Sequence, residues 1–382
     1  YFRFSFSYFF QSGSKKKRKK SESDASGAPA SIKNLVTSVS FGRSYQISSL
    51  WTLAAIEIRN ILRDGYFRAI LLGGLIFLAI DFWILNSLYS VSSLPVTSVI
   101  LEYKGFDYLI FVFIIIVFFT GETLHRDKST GYAKISDTFP VSNGVLIASK
   151  FLGMVAITFV LATIPIVVGV IVQLLKGYTN LKIGWYLIDT YLITFPDFVQ
   201  MVMLVFAVHM IVNSKFAGHA AAIAVLLIIL VLRNFAGYDF NLFFYSYEPG
   251  YRWSEMNGLG HFAEPLLWFN IYWTSFGIFL LLFAAIFYTR GSESTFKSRL
   301  IAAKSRLTQG PTLVAYSFLI VSILSGAYIY NNVAYKNEYT TSDEGKYRRA
   351  EYEKQLKKYE FMPQPKLVSV NLKADLYPKE RD

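Results

Sequence analysis

The residues of this chain whose types suit chemistry are few and far apart. Its four histidines are His125, His209, His219 and His261, and no two fall within a single helical turn, so their spacing builds no metal site. Glu122 and His125 form a lone Glu-x-x-His, a pattern that di-iron bundles use in duplicate; one copy reads instead as a contact surface. There is no His-Glu-x-x-His to supply the ligands and general base of a zinc peptidase. There is equally no Gly-x-x-x-x-Gly-Lys-Ser/Thr to cradle nucleotide phosphates. The absence of cysteine removes thiolate ligands, thiol nucleophiles and disulfides. Two acids remain as candidates. Asp81 stands between Ile80 and Phe82, well inside an apolar run where an ionised carboxylate is costly unless paired or hydrated. Asp197 follows Pro196, where a broken helix frees backbone groups and an acid can line a cavity.

The elements that must position these residues are membrane helices. Of 382 residues, 53% are hydrophobic and 17% charged, and the mean hydropathy is +0.38, well above a soluble domain. The 34 Phe, 26 Tyr and 6 Trp suit a lipid-facing surface with interfacial belts. A net charge of +12 raises the question of nucleic acid, but most of the excess sits near the start and in short loops between apolar runs, which marks one side of a membrane and argues against a nucleic-acid partner.

Seven apolar stretches lie at about 68–89, 105–121, 149–173, 191–213, 216–235, 267–289 and 312–331, each near the ~20 residues that cross a bilayer. Pro196 and Asp197 interrupt the fourth. Ahead of them, residues 1–45 carry an aromatic run and the basic block Lys15 to Lys20, and read as a cytoplasmic linker unable to bury a core. Residues 48–64 repeat Leu50, Trp51, Ala54, Ile58, Ile61 and Leu62 at helical spacing, with Glu57, Arg59, Asn60 and Arg63 opposite, as in an amphipathic helix lying in the interface. The loops richer in Lys and Arg hold Arg126, Lys128, Lys134 and Lys150; Lys215; and Arg290, Lys297, Arg299, Lys304 and Arg306. They place the N-terminus in the cytoplasm and the segment after the seventh span outside. In that last segment, Thr341 and Glu344 are spaced as a capping box for a short helix, and strict alternation from Val368 to Leu376 predicts a strand that opens an outer β-domain. The start at Tyr1 and the strand without a partner read as a piece of a longer polypeptide.

The stretch Gly121-Glu122-Thr123-Leu124-His125-Arg126-Asp127-Lys128-Ser129-Thr130-Gly131, followed by Asp137-Thr138-Phe139-Pro140-Val141-Ser142, resembles the loop between the second and third spans of ABC type 2 permeases. The resemblance implies a short coupling helix here that docks on a separate ATP-binding subunit, with Glu122, Arg126, Asp127, Lys128 and Gly131 as coupling residues. Residues 48–64 would match the family's interfacial connecting helix, and six spans its half-transporter, 46–289. Tyr245-Ser246-Tyr247-Glu248, Ser254 to Gly258, Glu264-Pro265-Leu266-Leu267-Trp268, Tyr272-Trp273 and Arg290-Gly291 look like a bacterial subgroup fused to an outer zinc peptidase of the aminopeptidase N type. In that subgroup a further loop and span, here 290–331, carry the chain outward, and 332–382 resembles the opening of the peptidase portion.

The expectation is therefore an all-α polytopic protein of the bacterial inner membrane with about seven spans and no catalytic residue of its own. It would act as an export permease beside a second permease half or a copy of itself, ATP being bound by the partner subunit and zinc by a peptidase domain outside these residues. An anchor for that peptidase, and an ion-coupled carrier using Asp81 and Asp197, are the rival expectations.

Overall fold

In the computed structural model the described residues are 42–84, 87–88, 91–92, 94–103, 105–235, 240–290, 295–307, 310–337, 339–363 and 366–375. The basic linker and the end of the tail after 375 lie outside them.

The first helix, α1 (Arg43–Arg63), stops where Asp64 adopts extended backbone, and Asp64 then caps α2 (Gly65–Ile84) by accepting from the Tyr66 and Phe67 amides at 2.8 and 3.1 Å. A two-residue hairpin, β1 (Ser87–Leu88) with β2 (Val91–Ser92), and α3 (Thr97–Tyr103) lead to α4 (Phe106–Ser129). After the single turn α5 (Ala133–Ser136), Ser142 caps α6 (Asn143–Leu175). The next helix joins α7 (Ile183–Ile188), a π turn at Asp189–Thr194 and α8 (Phe195–Val212) without a gap. Then come α9 (Lys215–Phe235), α10 (Ala263–Ala285), α11 (Phe296–Arg306), α12 (Gly310–Tyr330) and α13 (Ser342–Leu356).

Seven of these helices are long and apolar enough to cross a membrane, and the protein is an all-α polytopic membrane protein. α4 packs against α2, α6, α8 and α9, while α8 packs against α4, α6, α9 and α10, so these two form the centre. α4 is 61% buried over its apolar window and α9 only 11%, which leaves α9 on the rim with an apolar face turned outward. α12 lies along α10. Gly73 and Gly74 let α2 approach α4: a Cβ there would meet the Phe111 ring at 3.0 Å and the Phe111 Cβ at 3.1 Å.

Several expectations change. The first span ends at Ile84, so Asp81 falls in its last turn rather than mid-span. The second runs on to Ser129, because Glu122, Leu124, Arg126 and Lys128 keep a helix going after the hydropathy has ended. Pro196 does not interrupt the fourth: it follows the π turn directly, and the helix runs on through it from Ile183 to Val212. Thr341 caps α13 as its spacing predicts, accepting from the Glu344 amide at 3.2 Å, but the Glu344 carboxylate turns to Arg348 instead of closing the box. Residues 366–375 form no strand, since a single β-segment has no ladder to join.

Both intramembrane prolines have their freed carbonyls served by neighbours. Pro165 in α6 leaves the Leu161 carbonyl without its usual amide, and the buried Tyr108 hydroxyl of α4 donates to it at 2.7 Å. Four residues before Pro196, the Leu192 carbonyl accepts from Asn270 of α10 at 3.4 Å. Tyr108→Phe keeps the ring and removes the donor, so it is expected to cost about 1–3 kcal/mol; thermal unfolding in detergent measures the loss.

Candidate functional site

The stretch singled out in the sequence, Glu122 to Ser142, lies at the end of the bundle that carries α1. The last turns of α4 place its charges, and all four turn into the protein. Glu122 pairs with Lys215, the first residue of α9. Arg126 Nη1 meets Glu57 Oε2 of α1 at 2.8 Å, and Asp127 Oδ2 meets Lys150 Nζ of α6 at 2.9 Å. Lys128 Nζ donates to Asn213 Oδ1 at 2.9 Å, beyond the end of α8. Gly131 supplies the turn out of α4 with φ of +75°, a conformation that favours glycine. These residues therefore brace the loop from inside.

Glu57 is the centre of the brace. The helical pattern sets it on the polar side of α1, yet it is 8% exposed and faces α6, where Lys150 Nζ lies 3.2 Å from Oε1. Lys150 also donates to the Thr123 carbonyl at 2.7 Å, so its ammonium is saturated by two carboxylates and one backbone oxygen. Gly153, one turn along α6, makes room for this: a Cβ there would stand 3.0 Å from that of Glu57. The order Arg126, Glu57, Lys150, Asp127 alternates in charge across three helices, which is how buried ions stay ionised away from water. The outer flank of α1 keeps its apolar residues exposed, with Trp51 and Leu62 pointing away from the bundle as an interfacial helix requires.

The brace forms one wall of a cleft of about 630 Å³ between α1, the end of α4, α5 and the start of α6. Tyr45, Tyr132, Phe139 and Tyr288 supply its aromatic lining; burial pushes the Tyr288 hydroxyl pKa up and keeps it neutral. The loop beyond Gly131 is clamped on two sides. Gln46 of α1 donates to the Pro140 carbonyl at 3.2 Å and accepts from the Ser142 amide at 3.1 Å. Arg290, after α10, donates to the carbonyls of Asp137, Phe139 and Val141.

Among the exposed residues of the loop, Ser129, Thr130, Lys134 and Thr138 are polar, but three are large and apolar: Tyr132, Ile135 and Phe139, on and beside α5, are 47%, 59% and 44% exposed, and the outer two also edge the cleft. Attention to charge in the sequence passed over them; their helical spacing within a polar stretch was the available signal.

A second cluster was hidden by linear spacing. His125 of α4, His209 of α8 and His219 of α9 come together, with ring centroids 5.4 Å apart for the first pair and 4.9 Å for the second. Gly121 and Gly218 leave space for them: a Cβ on either would lie within 2.5 Å of a histidine ring atom. Among the described residues, no group of three or more His, Asp or Glu is arranged to hold a metal ion.

Of the two aspartates proposed for the membrane, Asp81 lies beside Gly105 at the end away from α1, and Asp197 lies partly buried in the first turn of α8. The carboxylate at the heart of a polar network is a third one, Asp189 of the π turn, 2% exposed and accepting from Tyr251 and Trp253. No family model matches the chain, and no curated protein is significantly similar to it.

Proposed function

We propose that this chain is the membrane-spanning half of an ATP-driven exporter of the ABC type 2 class, in a bacterial inner membrane with the α1 end in the cytoplasm. The supporting observation is the apolar knob of Tyr132, Ile135 and Phe139 on a loop clamped to α1 by Gln46 and to the segment after α10 by Arg290. A subunit gripping that knob can move α1, α4, α6 and the end of α10 together, because the Glu57 brace ties the first three. ATP would be bound and hydrolysed on the partner, and a second permease half would complete the pathway. The excess of Lys and Arg at this end supports its facing the cytoplasm.

Co-expression with the ATPase encoded nearest the gene tests this. Wild type should retain the ATPase through purification, and Ile135→Asp with Phe139→Asp should lose at least tenfold of it while the melting temperature stays within about 2 °C, since surface changes cost little. An ATPase that never co-purifies, or is held equally by the variant, sinks the reading.

A second reading, an anchor for an outer zinc peptidase domain, draws on residues 366–375. Val368, Val370 and Leu372 alternate along the sequence as in a strand and are 91%, 73% and 82% exposed, apolar side chains that a further domain would cover. Full peptidase function from a form of the whole protein lacking residues 1–310 would favour it over transport.

A further inference from the structure

At the end of the bundle away from α1, the segment between α9 and α10 turns back into the protein. Trp253 is 8% exposed and stacks on Trp185 of α7 with ring centroids 5.0 Å apart. Its Nε1 donates to Asp189 Oδ1 at 2.8 Å, and the Tyr251 hydroxyl donates to the same oxygen at 2.7 Å. Ser254 and Gly258 pair their amides and carbonyls at 2.8 Å, closing a tight loop that carries Glu255. Glu255 accepts from Ser98 Oγ of α3 at 2.8 Å and pairs with Lys182 ahead of α7. Three residues of one short loop, Tyr251, Trp253 and Glu255, are thus fastened to α3, to α7 with the residue ahead of it, and to the π turn.

We propose that residues 251–255 form a releasable strap that closes this end of the bundle and is latched to the π turn of the fourth span through Asp189. On the transport reading above, on which this rests, the strap is the outer gate.

Three physical features make the strap a two-state element. Asp189 is 2% exposed within a membrane span, where an acid needs donors or water, and two of its donors belong to the strap. When the strap lifts, water must take their place, so release and hydration of the carboxylate occur together. The π turn that carries Asp189 is an uncommon local geometry, frequent at functional positions. Asp189 also lines a small cavity of about 30 Å³, together with Tyr108, Pro165, Thr190 and Thr194, room for about one water. The strap's outermost pair, Arg252 with Glu102, is 80% and 50% exposed and contributes little to holding it.

This chain has no cysteine, so Thr190→Cys places its single thiol in the cavity beside Asp189, where the strap is latched. Its reaction with a membrane-impermeant methanethiosulfonate should be slow in full-length protein in proteoliposomes. It should speed up at least tenfold when Tyr251→Phe and Trp253→Phe are added, and about threefold with the surface change Glu255→Gln, which leaves the buried packing untouched. Unchanged rates in both backgrounds, with circular dichroism confirming folded protein, would overturn the strap. Repeating the labelling with ATPase and ATP separates the two ideas. Acceleration during turnover supports both; acceleration by the substitutions alone keeps the strap and removes the exporter reading.

Discussion

Glu57→Ala is expected to be the most damaging single change at the α1 end, costing about 3–5 kcal/mol of stability, because it leaves a buried cation with part of its compensation gone. Lys150 is 5% exposed and cannot reach water when Glu57 is removed; Asp127 and the Thr123 carbonyl remain to it, while Arg126 loses its carboxylate. Arg126→Ala should cost far less, since Arg126 is 22% exposed at its side chain and Glu57 keeps Lys150. The double change Glu57→Ala with Lys150→Met should recover a good part of the loss, as replacing both members of a buried pair with apolar groups generally does. Unfolding in detergent of the wild type, Glu57→Ala, Lys150→Met and the double variant gives the coupling energy directly. A coupling energy near zero would show that the two helices are held by packing at Gly153 and Ala54 alone.

Arg299→Ala should cost a similar amount, about 3–5 kcal/mol, by a different route. The Arg299 guanidinium, 2% exposed, donates to the Met210 and Ile211 carbonyls in the last turn of α8 and to the Phe287 carbonyl after α10. A cation at a helix C-terminus meets both the unpaired carbonyls and the negative end of the helix dipole. Burial lowers the Arg299 pKa, but its ordinary value is so high that it stays charged at any working pH. Arg299→Lys should rescue little, because one ammonium cannot reproduce a planar fork that reaches carbonyls from two segments. The expected readout is a large loss of monodisperse protein for both variants, whereas Lys304→Ala, on the exposed side of α11, should behave as wild type. Full rescue by lysine would mean that charge alone holds α11 in place.

The spans were legible because apolar runs of bilayer length have few other uses, and all seven emerge as helices. Their ends were less legible. Hydropathy stops at Gly121 whereas helix-forming residues continue to Ser129, so a stretch read as loop proved to be the tail of α4. Pro196 read as a break because a proline in a helix interior usually is one; the π turn before it and Asn270 across from it are tertiary answers that a linear pattern does not carry. Glu57 shows the same limit at the brace. Helical periodicity assigns a carboxylate to water, and only its cations, 69 and 93 residues away, explain its burial. The three histidines come from three helices and meet only in the folded bundle.

Docking of an ATPase at the α1 end is tested most directly by site-specific photocrosslinking. A photoreactive phenylalanine analogue at Phe139, exposed on the loop knob, is compared with one at Met256, 97% exposed at the opposite end. An ATPase-sized adduct is expected from position 139, strengthened by ATP, and none from position 256. No adduct from 139, or equal adducts from both, would contradict a permease driven through this loop.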